Sequence, residues 1–278
     1  MKKTFAVLAG LALGALFFLA GPARTGGKDS HWKKFIPADT FKELLEREAK
    51  ILKNSLQGKA EEEALNRAKV AAVMIAAFSL SAEKDVKHPA AVQHAALQVA
   101  QMVRDKGKIP QALKIADALT SDKLPSPRGG LMVVNTKKVF GGDALALMDH
   151  LRPKAKGGDG IHQALQTSVP LKGALNGIEE KIRALAKKKM TDANMSKSAA
   201  EMVLFGYRLA VLAEVTDDFA PAMKSGKKDP KEWHELSVQM RDSALAMAAA
   251  SKKKDAAAVF DAADKLSTAC NQCHSVFR

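Results

Sequence analysis

The feature that most constrains this chain is a pair of cysteines at its C-terminal end, followed at once by a histidine. Cys270 and Cys273 are three residues apart, His274 comes next, and the sequence contains no other cysteine. This spacing is typical of c-type haem attachment, in which each thiol adds to one vinyl group of the porphyrin and the imidazole ligates the iron. The sequence therefore predicts one covalent haem c, bound by Cys270 and Cys273, with His274 as the metal ligand.

Three other kinds of site use such a pair. A zinc site needs four ligands, usually from a second Cys/His pair, and the sequence has no second pair. A thioredoxin-like redox pair begins a helix after a strand, whereas this pair ends an alanine-rich helical run. A disulfide across two residues closes a very small loop and leaves His274 without a role. The haem interpretation is favoured over all three.

The N-terminus has the pattern of a secretory signal. Lys2 and Lys3 precede an apolar run over residues 5–20, and small residues follow up to Ala23. The run is shorter than the roughly 20 residues that span a bilayer, so we expect cleavage after Ala23, with a retained anchor as the alternative. Export to the periplasm or another extracytoplasmic compartment agrees with the haem motif, which implies attachment outside the cytoplasm.

Composition indicates an all-α protein. Aromatic residues make up 5% of the chain, and alternating β-branched segments are scarce. The length without residues 1–23 predicts two domains. The formal net charge of +14 suits an acidic redox partner or anionic lipid. Nucleic acid is not an expected partner, because the lysines are spread along the chain without interleaved aromatic residues.

The two halves of the chain have a similar plan. Residues 46–83 align without gaps with residues 177–214, and His88-Pro89 and Asp229-Pro230 begin equivalent helices. Chance similarity between alanine- and lysine-rich helices is the alternative explanation. The repeat predicts two tandem up-down four-helix bundles. Their bounds are residues 32–125 for a bundle without the haem motif, 126–160 for a linker with one short helix, and 161–278 for the haem bundle.

Four amphipathic runs are expected in the second half. Ser168 begins the first, and the second covers about residues 196–215. Asp229, with Pro230 at the first helical position, begins the third. The fourth starts near Asp255 and reaches the cysteine motif.

Residues 229–278 resemble the cytochrome c prime family, the class II cytochromes c. The resemblance rests on Trp233 early in the third helix, an alanine-rich turn, and the motif at the C-terminal end, since most other c-type cytochromes carry it near the N-terminus. It extends less closely over residues 161–278. It implies a haem bundle outside the cytoplasm, with Cys270 and Cys273 in thioether bonds, His274 as proximal ligand, and Arg278 beside the haem.

The first helix of this bundle determines the expected chemistry. Related low-spin proteins place a methionine there, and residues 171–189 contain neither methionine nor histidine. We therefore expect an apolar distal face and five-coordinate iron that transfers single electrons, with binding of nitric oxide or carbon monoxide as the alternative function. A peroxidase needs a distal acid-base pair, which this helix lacks, so no enzyme activity is expected. The residues expected to line the pocket are Leu171, Leu175, Val211, Val215 and Trp233.

Two further histidines lie near this pocket in sequence. His162, just before the first helix, is the alternative sixth ligand of the iron, although a surface position is favoured for it. His234, in the first turn of the third helix, is expected to be exposed.

The first half departs from the haem pattern. Alignment of the fourth helices places Cys270, Cys273 and His274 on Lys123, Ser126 and Pro127, where two prolines end the helix and no thiol remains. We expect no covalent haem there, but a docking or homodimerising module, or a site that holds a group through His88 or His94. The methionine and phenylalanine stripe of Met74, Phe78 and Met102 is expected to be ordinary core.

Overall fold

The computed structural model describes residues 32–58, 61–121, 124, 130–132 and 178–277. These residues form α-helices and one short 3-10 turn, with two isolated bridges and no strand, which confirms the all-α prediction. The predicted signal segment, most of the predicted linker, and the beginning of the amphipathic run predicted from Ser168 lie outside the described residues. The helices are α1 Ala38–Gln57, α2 Glu62–Ser81, α3 Pro89–Met102, α4 Ile109–Ala118, α5 Ile178–Lys187, α6 Asp192–Asp217, α7 Pro230–Lys252 and α8 Ala256–Phe277.

Helices α1 to α4 pack in a closed order. Helix α1 contacts both α2 and α4, and α3 lies against α2 and α4. Helix α3 begins at Pro89 as expected, because His88 adopts a left-handed conformation with φ of 53° that turns the chain into the helix. Met74 and Phe78 are buried and Met102 packs against the core, which confirms their structural role.

Helix α2 is apolar along most of its length. Its window Ala64–Ser81 is long and apolar enough to cross a membrane, the only such helix among the described residues. However, 78% of that window is buried inside the protein. Its apolar side chains are therefore accounted for by core packing.

Helices α5 to α8 place the cysteine motif. Helix α7 packs against α6 and α8, and α8 packs against α5. Asp229 caps α7 by accepting a hydrogen bond from the backbone nitrogen of Lys231 at 2.9 Å, with Pro230 at the first helical position, as predicted. The expected second run is also confirmed, since α6 spans Asp192–Asp217.

Helix α6 is buried around most of its circumference. Helix α7 covers one side and α2 contacts another. A Cβ atom added at Gly206 would lie 2.8 Å from the carbonyl oxygen of Ala244 and 2.8 Å from Cβ of Ala248, so only glycine permits this close approach of α6 to α7. The apolar side chains of both halves form one continuous core around this helix.

A buried ion pair joins the two halves. Arg208 of α6 places Nη2 2.9 Å from Oε1 of Glu48 on α1, and the two side chains are 4% and 0% exposed. Lys181 of α5 is buried nearby, where burial and the charge of Arg208 lower the pKa of its ammonium group. At the edge of the same contact, Arg47 pairs with Glu201 at 2.5 Å. Charge as well as apolar surface therefore determines how α1 packs against α6.

Candidate functional site

Helix α8 presents the cysteine motif on one face. The helix runs without interruption from Ala256 to Phe277, and Asp255 caps it by accepting hydrogen bonds from the backbone nitrogens of Ala257 and Ala258 at 3.0 Å each. Residues three and four apart in a helix are neighbours on its surface. Cys270, Cys273 and His274 therefore project together toward the neighbouring helices.

The two thiols are free and partly buried against the core. Burial, with a contribution from the charge of Glu179, raises the pKa of Cys270 to about 12. Burial, with a contribution from Glu232, raises the pKa of Cys273 to about 11. Redox-active dithiols instead have lowered pKa values, because the thiolate is the nucleophile. The environment of this pair thus argues against a thioredoxin-like role.

We expect the thiols of the folded, haem-free chain to be alkylated slowly. At pH 8 a thiol with a pKa near 11 or 12 is thiolate in well under one molecule in a hundred, whereas an unfolded cysteine with a pKa of about 8.5 is thiolate in roughly a quarter. Iodoacetamide should therefore label Cys270 and Cys273 at least about 100-fold more slowly in the folded chain than in guanidinium. Mass spectrometry of timed samples measures both rates. Equal rates would contradict the burial of the pair.

The imidazole of His274 faces α5. Its Nε2 lies 3.4 Å from Oε1 of Glu179, and the two side chains are 18% and 34% exposed. The second carboxylate oxygen, Oε2, accepts a hydrogen bond from Nη2 of Arg183 at 3.0 Å, one helical turn further along α5. A small recess beside these groups is lined by Glu179, Ile182, Arg183, Ser267, Cys270 and Asn271.

Aromatic side chains close the site on the α7 side. Phe277, three residues beyond His274, meets Trp233 edge to face, with ring centroids 4.8 Å apart and an interplanar angle of 87°. Trp233 donates a hydrogen bond from Nε1 to the backbone oxygen of Thr216 at 2.9 Å, so the end of α6 holds its ring. The apolar face of the site therefore has a fixed position.

The residues predicted from the sequence divide into four groups. Cys270, Cys273 and His274 lie together, and Trp233 reaches this group through Phe277. His234 is exposed as expected, with Nδ1 2.8 Å from Oδ2 of Asp217 and a side chain 54% exposed. Val211 and Val215 are buried in α6. The predicted residues outside the described part of the chain are Leu171, Leu175, His162, Arg278, Lys123, Ser126 and Pro127.

The charged and aromatic neighbours of the motif were not predicted from the sequence. Glu179 and Arg183 have the four-residue spacing of a helical ion pair, but nothing in the sequence connects them with His274. Phe277 lies three residues after His274 and was a recognisable signal, since that spacing puts it on the same face of α8 as His274.

The donor set fits the haem that the motif implies. Both sulfurs and the imidazole lie on one face of α8, and the outer ring nitrogen of His274 points away from that helix, toward α5. Neither thiol is in a disulfide, so both are available for thioether bonds. Within the described residues, no group of three or more histidine, cysteine, aspartate or glutamate side chains is arranged to hold a metal ion directly.

Comparison with protein-family models, with curated proteins and with solved structures finds no match to this chain.

Proposed function

We propose that this chain is an exported c-type cytochrome that transfers single electrons and catalyses no reaction of its own. Cys270 and Cys273 hold one haem through thioether bonds, and His274 ligates its iron. The observation that carries the proposal is the placement of two free thiols and an outward-facing imidazole on one face of α8.

Attachment needs no oxidant. Cys270 and Cys273 would each hold one vinyl group of the haem through a thioether bond, with the thiol hydrogen passing to the vinyl carbon. Once attached, haem supplies a one-electron couple at its iron. Helix α8 positions the ring of His274, and the buried Trp233 with the partly buried Phe277 gives the site an apolar wall on the α7 side.

We also propose how the helices of each half are arranged. We infer that each half is an up-down four-helix bundle and that the second is of the cytochrome c prime type. Support comes from the packing of α6 on α7, α7 on α8 and α8 on α5, and from the position of the motif at the end of α8. The first half, without thiols, packs against the haem half through α1 and α2.

Location and partner follow from the same proposal. The signal-like N-terminus favours the periplasm or another extracytoplasmic compartment. The partner expected for a chain of formal net charge +14 is a redox protein with an acidic surface, since opposite charges steer the two molecules together.

The test is to express the full chain in a host that attaches c-type haem and to measure its mass and optical spectrum. The proposal expects one haem per chain that survives denaturing electrophoresis and a reversible change between oxidised and reduced spectra. A colourless product with the mass of the polypeptide alone would contradict it. Carbon monoxide is then added to the reduced protein, because strong binding would favour a gas-binding role over electron transfer.

A further inference from the structure

We infer that Glu179 is the carboxylate facing the iron-ligating nitrogen of His274, and that its negative charge lowers the reduction potential of the bound haem. This inference rests on the proposed function and adds to it a residue that tunes the site. The sequence predicted an apolar face opposite His274, so a charged group there changes the expected behaviour of the centre.

Glu179 contacts the nitrogen of His274 that would ligate the iron. Oε1 of Glu179 is 3.4 Å from Nε2 of His274, which is the outer atom of the imidazole ring. The packing of α5 against α8 holds the two side chains together. An iron bound at Nε2 would lie closer to that nitrogen than Oε1 of Glu179 does here, so haem binding would displace this oxygen from the contact while α5 keeps the carboxylate beside the site.

Arg183 holds the carboxylate in place. Its Nη2 donates to Oε2 of Glu179 at 3.0 Å, while the guanidinium is 52% exposed. The pair belongs to α5 alone, with the i, i+4 spacing that helices favour. Loss of the His274 contact on haem attachment would leave this partner intact, so Glu179 remains oriented near the site.

The charge of Glu179 already affects Cys270, one of the two cysteines proposed to bind the haem. Its carboxylate contributes to the raised pKa of Cys270, one helical turn before His274. A negative charge close to the iron-ligating histidine stabilises the oxidised state of an iron centre, which is the more positive one, relative to the reduced state. Removing it should therefore raise the reduction potential, and removing the compensating charge of Arg183 should lower the potential.

The experiment compares midpoint potentials of the haem-loaded full chain by spectroelectrochemical titration. E179Q keeps the shape of the side chain and removes its charge, and we expect its potential to be higher than that of the unchanged protein. R183Q should shift the potential in the opposite direction. E180Q is the matched control, because the neighbouring residue points about 100° away around the helix, and its shift should be much smaller than that of E179Q.

The outcomes separate the inference from the proposed function. If the unchanged chain attaches no haem, the proposed function fails. If haem is attached and E179Q has an unchanged potential, or one that moves only as far as that of E180Q, the role of Glu179 is wrong. Far-ultraviolet circular dichroism shows whether E179Q folds. If it does not, the midpoint potential of R183Q is the test, and an unchanged or raised potential overturns the inference.

Discussion

Replacing Arg208 with methionine (R208M) is expected to lower the free energy of unfolding by about 3–5 kcal/mol, because Glu48 then stays buried without its counter-charge. The Glu48 carboxylate is fully buried and lies 2.9 Å from the guanidinium of Arg208. Methionine has a similar length and leaves no large cavity, so the lost charge dominates the effect. Urea denaturation followed by circular dichroism measures the change.

The control for R208M removes both charges. In the variant E48M/R208M no buried carboxylate remains, and replacing a whole ion pair by apolar side chains is often neutral or stabilising. We expect the double variant to recover most of the lost stability. A loss as large as that of R208M alone would show that packing, rather than charge, is responsible.

The effect of R208M should depend on pH. Burial raises the pKa of Glu48, while the charge and hydrogen bonding of Arg208 act to lower it, so R208M raises it further. A carboxyl whose folded pKa lies above its unfolded value gains stability at low pH and loses it as the pH rises from the unfolded toward the folded pKa. The destabilisation of R208M should therefore be smaller near pH 5 than near pH 8, and the reverse trend would contradict it.

If the proposed function holds, a chain with both Cys270→Ala and Cys273→Ala is expected to carry no covalently bound haem, because no other cysteine is present in the sequence. Each single variant keeps one thiol, so some haem should stay attached through one thioether bond. Alanine favours helix, so α8 should persist in all three variants. Haem staining after denaturing electrophoresis distinguishes complete from partial loss.

Small polar residues of α8 provide the matched control for the cysteine variants. Ser267 lines the recess beside Cys270, and the exposed Ser275 follows the motif. Ser267→Ala and Ser275→Ala change one small side chain each and should leave haem attachment unchanged. Staining of the double cysteine variant would mean that the haem binds elsewhere.

Local signals in the sequence were sufficient to place most of the described helices of the second half. Asp229 and Pro230 are strong start signals because the carboxylate satisfies a free backbone nitrogen and the proline ring fixes a helical φ angle. The spacing of Cys270, Cys273 and His274 placed the three on one face without any knowledge of the tertiary structure. These inferences depend only on neighbours along the chain.

Long-range contacts between charged residues could not be predicted in this way. Glu48 and Arg208 are of residue types that usually lie at the surface, and charged side chains are almost never fully buried unless paired. Their pairing depends on how α1 meets α6, which no local pattern encodes. The same holds for Glu179, whose contact with His274 arises only when α5 packs against α8.

The enclosure of α6 limits how this protein can be divided. Its side chains fill the space between α7 and the helices of the first half, and Arg208 of α6 pairs there with Glu48 of α1. The second half, produced alone, would expose to solvent an apolar stripe of α6 and the guanidinium of Arg208 without its counter-charge. The cysteine-bearing half is thus a poor candidate for grafting onto other proteins as an independent cassette, and shuffling experiments should keep residues 38–81 with it.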